Sequence, residues 1–299
     1  MSSMRVGVIG LGLMGGGIGR NLLRKGFPLA VYDVDQSAIR RLVDAGAAPA
    51  SSPREVAAQA DVVLTVLPDG PDVEAAILGT EGGLGGARAK TIFIDCSTVD
   101  PTVTQRVGHA VRAAGCGMVD VGMSRTFKDA DDGTLLLMVG ATPEDYQAVQ
   151  PVLSAMGTDV FHCGGPGTGI TMKLVNNLLS ITIYAADAEA LVLGAKAGLD
   201  TDLMLKILSS TAAGNAHLQL TVREQLLTGD YEPGFKAVLA HKDLGLAQNM
   251  AARLGVPLLA LSQTRQLYTL ALAQGKGDHA HGVIGAVLEQ IVGVRIGKD

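Results

Sequence analysis

The stretch MRVGVIGLGLMGGGIGRNLLRKGFPLAVYD, residues 4–33, decides the fold. It starts with the apolar run Met4–Ile9, continues through Gly10-Leu11-Gly12-Leu13-Met14-Gly15, and ends in the apolar run Leu29–Tyr32, before Asp33. The first glycine permits a tight turn, the second lets another group approach the backbone, and the third lets helix and strand pack closely. With a helix predicted at Ile18–Lys25, the stretch forms a strand–turn–helix–strand unit.

Glycines at this spacing, in this context, are the fingerprint of a dinucleotide-binding turn. The free N–H groups at the helix N-terminus would face the phosphates. Asp33 lies where an acid binds the adenosine ribose hydroxyls, and its charge would repel a 2′-phosphate. We therefore expect NAD (NADH in reduction) rather than NADP. The alternative is a purely structural glycine turn, but the strand, the helix and the acid together favour the nucleotide.

Strands and helices keep alternating over the first half of the chain, which predicts an open, mostly parallel sheet with helices on both faces. Ligands bind beyond the carboxyl ends of such strands. This places Pro68, Ser97, Thr98 and the loop Asp120–Thr126 near the cofactor. The further strands are predicted at Asp61–Leu67, Thr91–Ile94, Met118–Val121, Leu135–Val139 and Val160–His162, and the helices at Ser37–Ala45, Pro71–Leu78, Pro101–Ala114 and Pro143–Met156.

A long apolar helix is predicted over Thr168–Lys196, and its composition suggests burial on all sides. Lys173, Asn176, Asn177 and Ser180 follow one another at i, i+3, i+4 and i+7, so they share one face. A polar stripe on a buried helix is unfavourable unless it has a use, and buried ionisable groups cluster at active sites. The alternative is a solvated lysine at a helix end with two capping asparagines.

The second half has no convincing strand after Gly164-Gly165-Pro166-Gly167, so we expect an all-helical domain. The organisation predicted is a nucleotide-binding domain over residues 1–165, a long interdomain helix over 166–196 and a helical domain over 197–299. The helices of this last domain are predicted at Asp202–Ser209, His217–Leu227, Lys236–Leu254, Pro257–Gln274 and His281–Val292. Their apolar faces exceed what one small bundle needs, which predicts a homodimer or homotetramer.

The composition of the chain argues against several classes of protein. The net charge of −5, the absence of Trp and the lack of a basic block argue against nucleic acid. The charges inside the long helix argue against a membrane span. Three scattered cysteines and the absence of a leader before the first strand are typical of a cytoplasmic protein. His279 and His281 are interpreted as a surface loop; a metal site there is the alternative, and we predict none.

The chain resembles the β-hydroxyacid dehydrogenases, the 3-hydroxyisobutyrate dehydrogenase-like family. Five blocks carry the resemblance over nearly the whole chain: Gly10–Gly15, Asp95-Cys96-Ser97-Thr98 with Pro101, Asp120–Leu135, Gly167-x-Gly169 with Lys173-x-x-Asn176-Asn177, and Lys242-Asp243-Leu244. The resemblance implies a Rossmann-type N-terminal domain and a C-terminal domain like that of 6-phosphogluconate dehydrogenase. It also implies that Lys173 is catalytic, that Leu67, Pro68, Thr98 and Lys242 contact the cofactor with the glycine turn and Asp33, and that the Ser124 loop and Asn177 hold the substrate.

One block departs from the family pattern Asp-x-Pro-x-Ser-Gly-Gly. Here Gly122 replaces the proline, and Arg125 and Thr126 replace the two glycines. An arginine adds a fixed charge and a fork of donors, which suits an anion larger than a carboxylate. The alternative is an arginine turned to solvent or paired with Asp129, Asp131 or Asp132.

The Arg-Thr pair resembles the branch of the family that reduces 3-sulfolactaldehyde to 2,3-dihydroxypropane-1-sulfonate. That resemblance implies that Arg125, Asn176 and Ser180 hold the sulfonate. The expected reaction is reduction of a small anionic aldehyde, with Lys173 as general acid and a pKa lowered by burial. Alternatives are dehydrogenases or reductases for 3-hydroxyisobutyrate, tartronate semialdehyde or 4-hydroxybutyrate (succinic semialdehyde). A non-catalytic nucleotide-binding scaffold is disfavoured, because such members lack the lysine.

Overall fold

The computed structural model describes residues 4–232 and 234–297, so the outermost residues of the predicted domains (1–3, 298 and 299) lie outside the described part. It divides into two compact units, which meet in sequence between Lys173 and Leu174. The strands are β1 (Val6–Ile9), β2 (Leu29–Tyr32), β3 (Ala48–Pro49), β4 (Val62–Thr65), β5 (Ile92–Asp95), β6 (Gly117–Ser124), β7 (Leu135–Gly140) and β8 (Gly157–Gly164). The helices are α1 (Leu13–Arg24), α2 (Gln36–Val43), α3 (Pro53–Gln59), α4 (Gly70–Leu78), α5 (Pro101–Ala113), α6 (Phe127–Asp132), α7 (Pro143–Met156), α8 (Thr168–Lys196), α9 (Thr201–Ser209), α10 (Ala216–Gln219), α11 (Ala237–Leu254), α12 (Leu259–Ala273) and α13 (Val283–Val292).

The first unit is built on one eight-stranded sheet in the order β3-β2-β1-β4-β5-β6-β7-β8. All neighbouring pairs are parallel except β6 with β7, which run antiparallel. Two clusters of buried apolar side chains form the core of this unit. The predicted Rossmann-type doubly wound sheet is confirmed. Its carboxyl edge collects the ends of β1, β2, β4 and β5, where the sequence places its candidate residues.

Local chemistry explains most of the helix starts. Pro occupies the first turn of α3, α4, α5 and α7, where its missing N–H breaks no helical hydrogen bond. Side chains of Ser52, Asp100 and Thr142 accept hydrogen bonds from the first free N–H groups. No pattern in the sequence predicts β3, α3 or α6. Each has at most seven residues, too few to display a hydrophobic period.

The N-terminus of α8 is fastened to the sheet by Asp120. One oxygen of this β6 carboxylate accepts from Gly167 N, and the other accepts from Ile170 N at 2.8 Å. A negative charge at this end of a helix is favourable. Burial is the larger influence on this carboxyl and raises its pKa to about 6.

Glycine lets α8 approach the sheet closely at that point. A Cβ on Gly169 would lie 2.5 Å from the carbonyl oxygens of Asp120 and Met138, and one on Gly140 would lie 2.7 Å from Gly169 N. At Gly122, an added Cβ would lie 2.5 Å from the Cβ of Lys173. Backbone therefore packs against backbone, and the position of Lys173 against β6 is set within the first unit.

The second unit consists of helices around its own apolar core. The predicted helix His217–Leu227 is wrong as a single element: α10 ends at Gln219, and a π-helical turn spans Val222–Leu226. The interpretation of His281 as surface is also wrong. Its ring is buried, 5.3 Å from the ring of Tyr184 and 5.4 Å from that of Phe235. A loop next to buried aromatic rings explains this, because sequence spacing carries no information on such long-range packing.

The expected burial of α8 on all sides is wrong for the single chain. Leu179 and Leu193 are 61% and 72% exposed, although Leu174, Tyr184 and Leu191 are fully buried. Among the described residues, α8 is the one helix long and apolar enough to cross a membrane, and a core helix of a soluble protein meets the same criteria. The predicted oligomer would cover these exposed leucines and stays a prediction.

The buried carboxyl of Asp120 predicts a distinct pH dependence of stability. Its pKa in the folded protein is about 6, against an ordinary value of 3.8, so the folded protein binds more protons between these values. The contribution of Asp120 to the free energy of unfolding should therefore fall as pH rises from 4 to 6. In Asp120→Asn this contribution disappears, and urea denaturation across the range measures the difference between the two proteins.

Asp61→Asn is the matched control. Asp61 pairs with Arg5 and Arg88, and its hydrogen bond from Arg5 lowers its pKa below 3.8. Its contribution is present above that value and is lost only at lower pH, so its difference from wild type should stay flat between pH 4.5 and 7. Parallel curves for wild type and Asp120→Asn would contradict the assignment to Asp120.

Candidate functional site

The glycine turn after β1 is shaped to receive a phosphate-bearing ligand. Gly10 has φ +92°, and an added Cβ there would lie 2.3 Å from Val66 O. Gly15 is buried, and its added Cβ would lie 1.9 Å from Gly10 O. At Gly12, by contrast, an added Cβ would meet nothing within 4 Å. The backbone is thus closely packed at Gly10 and Gly15, whereas the space beside Gly12 is open. This arrangement fits the pyrophosphate of a dinucleotide.

Asp33, directly after β2, stabilises the glycine turn through hydrogen bonds of its carboxylate. Its Oδ2 accepts from Leu11 N at 2.5 Å, and its Oδ1 accepts from Asp35 N at 2.8 Å. The carboxylate is half-buried and keeps further lone pairs for a ligand hydroxyl. Leu13 and Met14 begin α1, with Leu13 57% exposed. The structure thus brings Asp33 to the predicted turn.

The ends of β4 and β5 are joined by a chain of hydrogen bonds. Thr65 Oγ1 donates to Asp95 Oδ1 at 2.8 Å, and Ser97 N donates to the same oxygen at 3.0 Å. Leu67 N then donates to Ser97 Oγ at 2.9 Å. This network fixes the loops that carry the predicted cofactor residues Leu67, Pro68 and Thr98; of these, Pro68 is exposed and Thr98 is half-buried.

The loop after β6 holds Arg125 in an unusual backbone conformation, with φ +79°. Its guanidinium donates to Thr134 O and Asp159 Oδ2, and to Thr158 Oγ1 at 2.9 Å. The acidic partner is thus Asp159, and not one of the three aspartates considered from the sequence. Three of the five N–H donors are used, which leaves two.

Ser124 ends β6 and is half-buried, whereas Thr126 is the N-cap of α6, just before the first helical residue. The Thr126 side chain accepts from Asp129 N, and Asp129 Oδ2 accepts from Thr126 N at 3.0 Å, which forms a capping box. Thr126 therefore has a structural role in this loop, whatever else it contacts.

Lys173 lies in the second turn of α8 and is half-buried, with its Cβ over Gly122. It is the last residue of the first unit. Since α8 is one continuous helix, Asn177 follows one turn later, on the same side as Lys173.

A polar network in the second unit orients the amides of α8. Asn177 is buried; its Nδ2 donates to Asp243 Oδ2 at 2.7 Å, and its Oδ1 accepts from Asn176 Nδ2 at 3.1 Å. Lys242 Nζ lies 3.6 Å from Asp243 Oδ1. Because a carboxylate only accepts, Asp243 fixes which way the Asn177 amide faces and leaves one Nδ2 hydrogen available.

Ser180 contacts His217, a histidine for which the sequence predicts no role. Its Oγ lies 2.8 Å from His217 Nε2, and His217 Nδ1 lies 2.8 Å from Thr221 Oγ1. Burial lowers the pKa of His217, so the ring is neutral at neutral pH. Ser180 is thus held by a polar partner rather than by solvent alone.

The sequence predicts no role for Asp243 or His217, and it places Asp120 only within the loop expected near the cofactor. Asp243 had a detectable signal, since it is a carboxylate among the buried apolar residues Ala240, Leu244 and Ala247 of α11. Asp120 lies at the head of a recognised block. His217 had no local signal, because its contacts with α8 join residues 37 apart in the chain.

Two family models match the chain. The first, the NAD binding domain of 6-phosphogluconate dehydrogenase, matches residues 5–165. The second, the NAD-binding domain of NADP-dependent 3-hydroxyisobutyrate dehydrogenase, matches residues 167–288. Together they span both units.

Relatives and solved structures agree with these models. The chain is 40% identical over 286 residues to the 3-sulfolactaldehyde reductase of Escherichia coli (strain K12), covering 96% of this chain and 95% of that protein. It is 37% identical to the mitochondrial 3-hydroxyisobutyrate dehydrogenase of Bos taurus, covering 92% and 83%. The structure of Mycobacterium tuberculosis 3-hydroxyisobutyrate dehydrogenase with L-serine superposes with a TM-score of 0.88 at 30% identity, covering 95% and 99%.

The chain therefore belongs to the β-hydroxyacid dehydrogenase family and is an NAD-binding oxidoreductase acting on CH–OH groups. The predicted fold, with its long helix and helical C-terminal domain, is confirmed.

The glycine turn yields a matched pair of variants. Gly12→Ala should fold with unchanged stability, because its Cβ has space, but should weaken NADH binding about tenfold by blocking the backbone approach to the pyrophosphate. Gly15→Ala should instead lower the free energy of unfolding by about 1–3 kcal/mol, because its Cβ collides with Gly10 O. NADH fluorescence titration and urea denaturation separate the two effects. Equal loss of stability in both variants would contradict this division.

Proposed function

We propose that this enzyme reduces a small aldehyde with an anionic tail, with 3-sulfolactaldehyde as substrate and 2,3-dihydroxypropane-1-sulfonate as product. The observation that carries the substrate choice is Arg125. A non-glycine residue at φ +79° is strained by about 1–2 kcal/mol, and strained residues of this kind cluster at ligand-binding sites. The 40% identity to a 3-sulfolactaldehyde reductase over nearly the full length supports the same choice.

In this proposal, Lys173 donates a proton to the carbonyl oxygen during reduction and accepts it in the reverse direction. NADH, when bound, supplies the hydride that the carbonyl carbon receives. The remaining Nδ2 hydrogen of Asn177 is directed to the same oxygen, since Asp243 and Asn176 occupy the other positions of that amide. Ser124 orients the substrate from the β6 loop.

The anionic tail is assigned to Arg125, Asn176 and Ser180. Thr134, Thr158 and Asp159 hold the Arg125 guanidinium in place and leave two N–H donors for a sulfonate oxygen. Asn176 and Ser180 lie on the same face of α8 as Lys173, one and two turns further along the helix. Thr126 positions this loop through its capping box with Asp129.

For the cofactor, we propose NADH rather than NADPH, with Leu67, Pro68, Thr98 and Lys242 completing the contacts of the glycine turn. Asp33 supports this preference because its charge repels a 2′-phosphate. Tighter binding of NADPH in a parallel fluorescence titration would contradict it. The three cysteines are free thiols, which supports a cytoplasmic location.

The role of Lys173 is tested by Lys173→Met, which keeps the length and apolar part of the side chain. We expect kcat to fall by at least about a hundredfold, because general acid catalysis is lost, while NADH binding is unchanged. Stopped-flow measurement of NADH oxidation gives kcat, and fluorescence gives Kd. Lys196→Met, at the far end of α8, is the control and should retain activity. Undiminished turnover by Lys173→Met would refute the mechanism.

The substrate is tested by Arg125→Gly, using sulfolactaldehyde, tartronate semialdehyde, succinic semialdehyde and 3-hydroxyisobutyrate. KM for sulfolactaldehyde should rise by about ten- to a hundredfold, because charged hydrogen bonds contribute about 1.5–3 kcal/mol, and the carboxylate substrates should be affected less. Stability should change by less than about 1 kcal/mol, since relief of backbone strain offsets the lost exposed ion pair.

Lys90→Gly is the matched control, because Lys90 is the other described non-glycine residue with positive φ, at +70°. It should change stability without changing any KM. If Arg125→Gly left the preference among the four substrates unaltered, the sulfonate assignment would fail and the 3-hydroxyisobutyrate type of activity would be favoured.

A further inference from the structure

Ser180, His217 and Thr221, which we call the Ser180 relay, form a hydrogen-bonded row inside the second unit. Each ring nitrogen of His217 faces one hydroxyl at 2.8 Å. A solvated histidine needs no such pair of partners, whereas a ring fixed in this way transmits its hydrogen-bonding pattern from one hydroxyl to the other.

The backbone and neighbouring rings hold His217 in place. Asn215 accepts from His217 N at 2.8 Å and donates to Asp187 Oδ1 at 2.9 Å, so the start of α10 is fixed to α8. The rings of Tyr184 and His281 lie 5.7 and 6.1 Å from that of His217. The ring therefore has little freedom to turn away from Ser180.

A neutral imidazole carries one hydrogen, so the relay has two patterns. In the first, Thr221 donates to Nδ1 and Nε2–H donates to Ser180 Oγ, which leaves the Ser180 hydrogen available to a ligand. In the second, Ser180 donates to Nε2, and Ser180 then offers a ligand only lone pairs. A sulfonate has only acceptor oxygens, so it can bind the first pattern alone.

We propose that His217 is a positioning residue that holds the Ser180 hydroxyl as a hydrogen-bond donor to the anionic tail of the substrate. The inference rests on the proposed function, in which Ser180 contacts that tail. His217 itself does not touch the substrate; it determines the direction in which Ser180 donates, and Thr221 satisfies the opposite ring nitrogen.

Two substitutions at position 217 separate this role from simple packing. His217→Gln places an amide N–H near the position of Nε2, so it can donate to Ser180 as the first pattern does. His217→Leu fills similar space without a donor. We expect His217→Leu to raise KM for 3-sulfolactaldehyde about tenfold with kcat little changed, and His217→Gln to restore KM to within about threefold of wild type.

Glyceraldehyde, which has a hydroxyl in place of the sulfonate, is the neutral control substrate, and its KM should be similar in all variants. In Ser180→Ala, the further change His217→Leu should have no added effect on KM, because the group that it positions is gone. Thermal melting and NADH titration verify that each variant is folded.

The outcomes distinguish the inference from the function on which it rests. If Ser180→Ala raises KM for sulfolactaldehyde but His217→Leu does not, or if the two effects add independently, the inference is overturned and the anion assignment stands. If the His217→Gln and His217→Leu variants lose affinity equally, the donor role is overturned. If Ser180→Ala leaves KM unchanged, both the anion assignment and the inference fail.

Discussion

The attachment of α8 to the sheet by Asp120 is the constraint on which the rest of the structure depends. A buried carboxylate that accepts from Gly167 N and Ile170 N satisfies N–H groups that would otherwise be unpaired at a helix end. Burial disfavours the charged form of the Asp120 carboxyl, and this is why its pKa is raised. The glycines at positions 122, 140 and 169 make the close approach feasible. The place of Lys173 follows directly, because it lies one turn beyond Gly169.

Beyond Lys173, α8 enters the second unit, where its polar face is organised by partners from other helices. Asp243 accepts from Asn177, and His217 contacts Ser180. Amides and hydroxyls can donate or accept, so alone they present an ambiguous pattern to a ligand. The Asp243 carboxylate removes that ambiguity for Asn177, whereas His217 limits the Ser180 hydroxyl to two patterns, of which a sulfonate fits one. The proposed specificity for an anion therefore depends as much on these partners as on the residues of the stripe.

In the loop after β6, Arg125 has a backbone conformation that is typical of glycine. The family pattern has glycine where this chain has Arg125, and the observed φ of +79° is one that glycine adopts easily. The backbone conformation is thus one that suits the family pattern, and the arginine is accommodated in it at an energetic cost. Its contacts with Thr158 and Asp159 fix the guanidinium, whose remaining donors are the basis of the sulfonate proposal.

The sequence by itself determined the sheet, the dinucleotide turn and the length of α8, because these features depend on local periodicity and on glycines at fixed spacing. It also identified the polar stripe, since residues three and four apart on a helix must share a face. Tertiary structure alone decided that Arg125 pairs with Asp159, that α8 leaves Leu179 exposed, and that His217 contacts Ser180. These contacts join residues 34 and 37 apart or depend on which helices cover α8. Such pairings arise from packing between elements, which no local pattern of residues specifies.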